Sequence, residues 1–139
     1  MEYQTSIKIL SESDIVTARH HGRNIAKKLG FGTVDQTRIT IVISELARNI
    51  YLYAGKGEIH FELVSTLQKR GLKIKALDYG PGIQDIRAAM EDGYTTSGGL
   101  GAGLPGVKRL MDDFDLTTTA GKGTTVVVVK WLRGESGLK

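Results

Sequence analysis

A glycine-rich run followed directly by a helix start is the feature that most restricts how this chain can fold. Residues 98–103 contain four glycines, and residues 104–111, with Pro105 near their start, predict the opening of a helix. Proline is tolerated there because the N–H that it lacks has no helical partner in the first turn. Glycines ahead of a helix allow a close approach of the backbone to a bulky group. Because the positive end of the helix favours an anion, the run predicts a phosphate site; a flexible surface loop is the alternative.

The composition excludes several classes of protein. With 139 residues, 40% of them apolar, the chain is expected to form one globular domain over residues 1–133, followed by a frayed tail at 134–139. It has no cysteine, which excludes disulfides and thiolate metal sites and fits a reducing, cytoplasmic compartment. No apolar run is long enough to span a membrane. The net charge of +4 forms no basic stripe with aromatic residues, so neither nucleic acid nor membrane is expected as a partner.

The spacing of apolar residues predicts the element order β-α-α-β-β-α-α-β-β. Hairpin connections then favour an α/β fold: a two-layer sandwich of a mostly antiparallel, mixed sheet with helices on one face. The predicted elements are a strand at 3–10, a helix from Ser11 or Ser13 to Leu29, a helix at about 34–54 capped by Thr33, strands at 58–66 and from Leu72, helices at 85–90 and 104–112, and strands at 114–119 and 124–132.

Two further patterns contain polar residues that suit a ligand site. Glu45 and Asn49 are four residues apart on the second predicted helix, so they project from one face. A solvated polar face is the alternative interpretation of this pair. Asp78 ends a predicted strand and is followed by Gly80 and Gly82, which is typical of a ligand site and also of an ordinary turn.

Four patterns that are each weak alone occur in a fixed order along the chain. They are Glu45-x-x-x-Asn49 on a helix, Asp78-x-Gly80-x-Gly82 after a strand, Gly99-x-Gly101-x-Gly103-Leu104 before a helix, and Gly121-x-Gly123-Thr124 between strands. This order closely resembles the four-box ATP site of the GHKL superfamily, which includes gyrase, Hsp90, histidine kinases and MutL. The resemblance covers nearly the whole chain and implies the Bergerat ATP-binding fold.

Within that superfamily, the short sequence resembles the anti-sigma-type serine kinases, and the runs at 44–50, 54–57 and 98–107 are most similar to the switch kinases of the bacterial stressosome. This resemblance implies that the chain phosphorylates a serine or threonine on a STAS-domain partner. It also implies that the released kinase binds and activates a PP2C-type phosphatase. Because no dimerisation helices or phosphoacceptor domain are recognised, phosphorylation of a histidine in this chain is not expected.

The resemblance also implies a role for each residue of the four boxes, with ATP and Mg²⁺ as the cofactors. An amide oxygen of Asn49 suits Mg²⁺, a hard cation, and Glu45 can orient or deprotonate the attacking hydroxyl. The remaining roles are Asp78 as acceptor for the adenine amine, Gly80 and Gly82 as room for the base, Gly99, Gly101, Gly103 and Leu104 as the lid over the phosphates, and Thr124 as support for the adenine side through its hydroxyl.

Two functions from different classes remain open at this point. One is an ATP-dependent protein serine/threonine kinase. The other is a nucleotide-gated binding module whose kinase activity is incidental. Glu45 favours the kinase, because a protein that only binds its partner has no need of a carboxylate beside the magnesium ion. A plain ATPase is less favoured, because no second domain is recognised that would convert hydrolysis into motion.

Overall fold

The computed structural model describes residues 4–83, 90 and 103–133. Its elements are β1 (Gln4–Ile9), α1 (Glu12–Leu29), α2 (Thr33–Asn49), a π-helical turn (Ile50–Ala54), β2 (Gly57–Ser65), β3 (Arg70–Asp78), α3 (Gly103–Leu110), β4 (Asp113–Thr119) and β5 (Gly123–Trp131). The predicted order is confirmed for the elements in this part of the chain. The helix predicted at 85–90, apart from Met90, and the tail predicted at 134–139 lie outside the described residues.

The five strands form one sheet in the order β1-β2-β3-β5-β4, and every pairing among them is antiparallel. The register aligns Phe61, Ile74 and Val128 across the three central strands, and all three side chains are fully buried. Because side chains alternate between the faces of a strand, this register makes one face continuously apolar. Helices α1 and α2 pack on each other and α3 packs on α2. The α/β sandwich with an antiparallel sheet is thus confirmed.

The ends of α1 follow from local sequence. Ser11 is the N-cap, and Asp14 completes a capping box by accepting the N–H groups of Leu10 and Ser11 at 2.8 and 2.9 Å. The hydrogen bond from Leu10 is the main cause that lowers the pKa of the Asp14 carboxyl, against the opposing effect of desolvation. At the other end, Gly30 adopts the left-handed backbone conformation, with a φ of 102°, and ends the helix.

The junction between α1 and α2 corrects one prediction. The N-cap of α2 is Gly32, not Thr33, because Gly32 is extended and its carbonyl accepts the N–H of Gln36 at 2.9 Å. Phe31 is buried in the core, and its carbonyl accepts a hydrogen bond from the Gln36 side chain at 2.8 Å. These contacts begin the helix one residue earlier than the side-chain preference of threonine for caps predicts.

The end of α2 corrects a second prediction. A regular helix to about residue 54 is wrong, because the α-helix ends at Asn49 and Ile50–Ala54 form the π turn. Gly55 ends this turn with a φ of 84° and donates its N–H to the Ile50 carbonyl at 2.8 Å. π-helical turns are rare, and those that occur often lie at functional sites. The turn directly after Asn49 therefore indicates a candidate site.

Candidate active site

The Asp78 carboxylate is held by two backbone amides at the end of a central strand. Its Oδ1 atom accepts the N–H of Gly80 at 3.0 Å and the N–H of Thr124 at 3.1 Å. These bonds fix the rotation of the side chain and use one of its two oxygens. Within the described part of the chain, nothing donates a hydrogen bond to Oδ2. The arrangement therefore presents one oriented carboxylate oxygen as an acceptor for a ligand.

The backbone around Asp78 is packed too closely for side chains. A Cβ atom at Gly80 would lie 2.6 Å from Cβ of Ala54, and one at Gly123 would collide with the Asp78 carbonyl oxygen. Gly82 has a φ of 84°, which other residues rarely adopt. The prediction that Gly80 and Gly82 leave room for the base stays a prediction. The structure adds another reason for glycine at Gly80, which is its contact with the π turn.

Asp78, Gly80 and Thr124 form a hydrogen-bonded group, here called the Asp78 cluster. Thr118 also belongs to it, and the sequence analysis missed this residue. Its Oγ1 atom accepts the N–H of Ile83 at 2.9 Å and lies 3.0 Å from the Thr124 hydroxyl. The Thr124 hydroxyl thus contacts Thr118, while the backbone N–H of Thr124 contacts Asp78. The available signal was the alternation of β4, in which Thr118 falls on the same face as Phe114 and Leu116.

Replacing Thr118 with valine should loosen the loop after Asp78. Valine has nearly the same shape but leaves the Ile83 N–H without its acceptor, so we expect the free energy of unfolding to fall by about 1–2 kcal/mol. Chemical denaturation of the variant measures this change. Thr117→Val, on the exposed face of the same strand, is the matched control and should change the free energy by less than about 0.5 kcal/mol. Equal stability of both variants would contradict a supporting role for the Thr118 hydroxyl.

Glu45 is a buried carboxylate on the face of α2 that also carries Asn49. Its exposed fraction is 3%, among the apolar residues Val42, Ile43 and Leu46 of the same helix. A solvated polar face is therefore the wrong interpretation for Glu45. Asn49 is half-buried and is the last residue of α2. Glu45 is therefore an enclosed carboxylate one helical turn before Asn49.

The π turn brings the end of α2 to the Asp78 cluster. Ala54 packs against Gly80, and Ile50 lies so close to Gly57 that a side chain at that glycine would touch it. Gly57 pairs with Asp78 across the sheet. The structure therefore places Ile50, the residue after Asn49, beside the strand end that carries Asp78.

The last glycine of the glycine-rich run opens α3. Gly103 has a φ of 70° and is buried, as are the next four residues, including Leu104. The predicted lid glycines Gly99 and Gly101 lie outside the described residues. Among the described residues, no group of three or more His, Asp or Glu side chains could hold a metal ion, and no helix is long and apolar enough to cross a membrane.

Comparison with known proteins agrees with this arrangement. The family model described as histidine kinase-, DNA gyrase B-, and HSP90-like ATPase matches residues 34–134. The serine/threonine-protein kinase RsbT of Bacillus subtilis (strain 168) is 66% identical over 133 residues, which cover 96% of this chain and 100% of that protein. An anti-sigma F factor of Clostridium acetobutylicum is 28% identical over 136 residues, which cover 94% of each chain.

Two solved structures show the same fold at low sequence identity. The RsbU and RsbW domains of a Mycobacterium tuberculosis protein align with a TM-score of 0.64 at 16% identity, over 100% of this chain and 35% of that chain. A chain of the SiaB-SiaC complex from Pseudomonas aeruginosa aligns with a TM-score of 0.54 at 12% identity, over 94% of this chain and 89% of that chain. Fold, family model and relatives agree: the chain belongs to the histidine kinase-, DNA gyrase B- and HSP90-like ATPase family, and within it to the serine/threonine-protein kinases of the RsbT type.

Proposed function

We propose that this kinase transfers the γ-phosphoryl group of ATP to a serine or threonine of a STAS-domain protein in a cytoplasmic stress-signalling pathway that works by partner switching. When released from a stressosome, it binds and activates a PP2C-type phosphatase. The high identity to RsbT over the whole length of that protein supports the assignment. The observation that carries the catalytic part is the buried Glu45 carboxylate one helical turn before Asn49.

The Asp78 cluster fits adenine. The amine of adenine donates hydrogen bonds, and guanine offers no such donor at the same place. Asp78 Oδ1 is already bonded to Gly80 and Thr124, so Oδ2 is the atom that would accept from the amine. The two backbone bonds keep that oxygen in place before the ligand arrives, which lowers the ordering cost of binding.

Asn49 fits a magnesium ion that is held mainly by phosphates. Mg²⁺ typically takes one or two protein oxygens and completes its shell with water and substrate phosphates. One amide oxygen at the end of α2 meets that requirement without a cluster of carboxylates. Bound ATP supplies the phosphoryl group, and Mg²⁺ offsets its negative charge.

Glu45 then acts on the acceptor hydroxyl. It lies about 6 Å along the helix axis from Asn49, which is one turn of an α-helix. Its burial excludes bulk water, so the carboxylate can orient the serine or threonine hydroxyl and take its proton as the oxygen attacks. The N–H groups at the start of α3, where Gly103 and Leu104 lie, would hold the negative phosphates.

A nucleotide-gated binding module is the second candidate. The similarity to the anti-sigma F factor favours it, since that protein is named for acting against a sigma factor rather than for a reaction. In this case ATP would set the shape of the partner surface, and Glu45 would not be needed for binding.

Phosphate incorporation distinguishes the two candidates. Purified protein is mixed with labelled ATP and STAS-domain proteins from the same genome, with Mg²⁺ or with excess chelator. We expect one STAS protein to be labelled on serine or threonine in the presence of Mg²⁺, and a variant of that protein with the acceptor changed to alanine to stay unlabelled. A stable complex that forms with ATP but never incorporates label would favour the binding module.

A further inference from the structure

Lys130 is a buried lysine on β5, outside the four ATP-site patterns. It follows Val126 and Val128 on the apolar face of the strand, and its exposed fraction is 3%. An ammonium group in such a place is costly unless hydrogen bonds and opposite charges compensate it. Compensation comes from one carbonyl and two carboxylates.

The carbonyl belongs to the last residue of α3. Lys130 Nζ donates to the Leu110 carbonyl oxygen at 2.9 Å. The final carbonyls of a helix have no helical donor and lie at the negative end of the helix dipole. A cation there donates the missing hydrogen bond and interacts favourably with the dipole. Lys130 is therefore the C-terminal cap of α3, supplied by another element.

The carboxylates tie the same ammonium to α2 and to the start of β4. Asp35 Oδ1, in the first turn of α2, and Asp112 Oδ1 each lie 3.7 Å from Nζ. Asp112 is itself anchored, since it accepts the backbone N–H of Trp131 at 2.7 Å and pairs with Arg133 at 2.8 Å. One side chain thus joins the beginning of α2 to the end of α3.

This junction restrains α3 relative to α2. Helix α3 also packs on α2, and Gly103 lies at the end of α3 opposite Leu110. An eight-residue helix is about 12 Å long and behaves as a rigid rod over that distance. Because α3 is bonded at Leu110 and packs on α2, its Gly103 end can shift only if these contacts change.

We propose that Lys130 is a positioning residue for nucleotide binding, which holds the start of α3 at the correct distance from Asn49 through its bond to Leu110 and its ion pair with Asp35. The inference rests on the proposed ATP site. Lys130 touches no ligand and takes no part in phosphoryl transfer. Its removal should weaken binding of the nucleotide phosphates and leave the rate of phosphoryl transfer, in which Glu45 acts, unchanged.

The test is Lys130→Met, which keeps the unbranched apolar part of the side chain and removes its charge and hydrogen bonds. Coupling between separate sites commonly amounts to about 5- to 150-fold, so we expect the KM for ATP and the ATP dissociation constant to rise by about fivefold or more. The kcat at saturating ATP should stay within about twofold of the wild-type value, because only binding is affected. Asp35→Asn, which keeps the bond to Leu110 and weakens the tie to α2, should give a smaller rise.

Arg133→Met is the matched control, because it removes the exposed cation on Asp112 without touching Leu110. It should leave the KM unchanged. A purely structural role of Lys130 would lower the melting temperature and the active fraction, and hence kcat, at constant KM, and that result would overturn the proposal. Should Lys130→Met fail to fold, an unchanged KM in Asp35→Asn would overturn it equally. Absence of ATP binding by the wild-type protein would instead contradict the proposed ATP site itself.

Discussion

Glu45→Gln is expected to keep ATP binding and to lose phosphoryl transfer by a factor of about 10²–10⁴, the usual contribution of a positioned general base. The glutamine side chain has the same shape, so the packing of this buried position on α2 is retained. It cannot take a proton from the acceptor hydroxyl. Nucleotide titration and phosphate incorporation into the STAS-domain partner, measured on the same preparation, separate the two effects.

Two variants make the Glu45 result interpretable. Asn49→Ala should also lose the magnesium-dependent part of ATP affinity, because the predicted metal ligand is gone. Glu62→Gln, a partly exposed carboxylate on β2, should behave as wild type. If the chain is chiefly a binding module, Glu45→Gln will still form its partner complex. Full transfer activity in Glu45→Gln would exclude the catalytic role and leave a site for ATP binding alone.

Asp78→Asn is expected to weaken ATP binding by about 10- to 100-fold, the equivalent of leaving one buried polar group mismatched. The amide oxygen of asparagine can still accept the N–H groups of Gly80 and Thr124, so the loop should keep its conformation. The other atom becomes an NH₂ group, which donates where the adenine amine needs an acceptor. Calorimetric titration with ATP measures the change.

Two measurements separate an effect of Asp78→Asn on ATP binding from an effect on folding. Asp115→Asn makes the same chemical change on the exposed face of β4 and should not alter ATP affinity. The melting temperature of Asp78→Asn should stay near that of the wild type. Unchanged ATP affinity in Asp78→Asn would remove this residue from the site, whereas a large loss of stability would show that the backbone bonds to Oδ1 had been broken.

The architecture could be predicted from the sequence because it follows from local rules. Alternation with a period of two predicts the strands. Cap preference predicts that α1 begins at Ser11 or Ser13, and the structure shows Ser11 as the cap. The order of the four patterns likewise predicts that Asn49, Asp78 and Thr124 come together. Local rules failed at Thr33, where the burial of Phe31 moved the cap to Gly32, and at residues 50–54, where the helix changes to a π turn.

Neighbours along the chain therefore predict the α/β sandwich and its antiparallel hairpins. The candidate site residues followed instead from the resemblance of the four ordered patterns to the GHKL ATP site. Which polar groups are buried depends on how the helices pack on the sheet. A solvated face was an open alternative for Glu45 until its helix was packed. The sequence analysis did not single out Lys130, whose partners Leu110 and Asp35 come from other elements. Burial and hydrogen-bond partners come from residues that are far apart in sequence, so a local pattern cannot predict them.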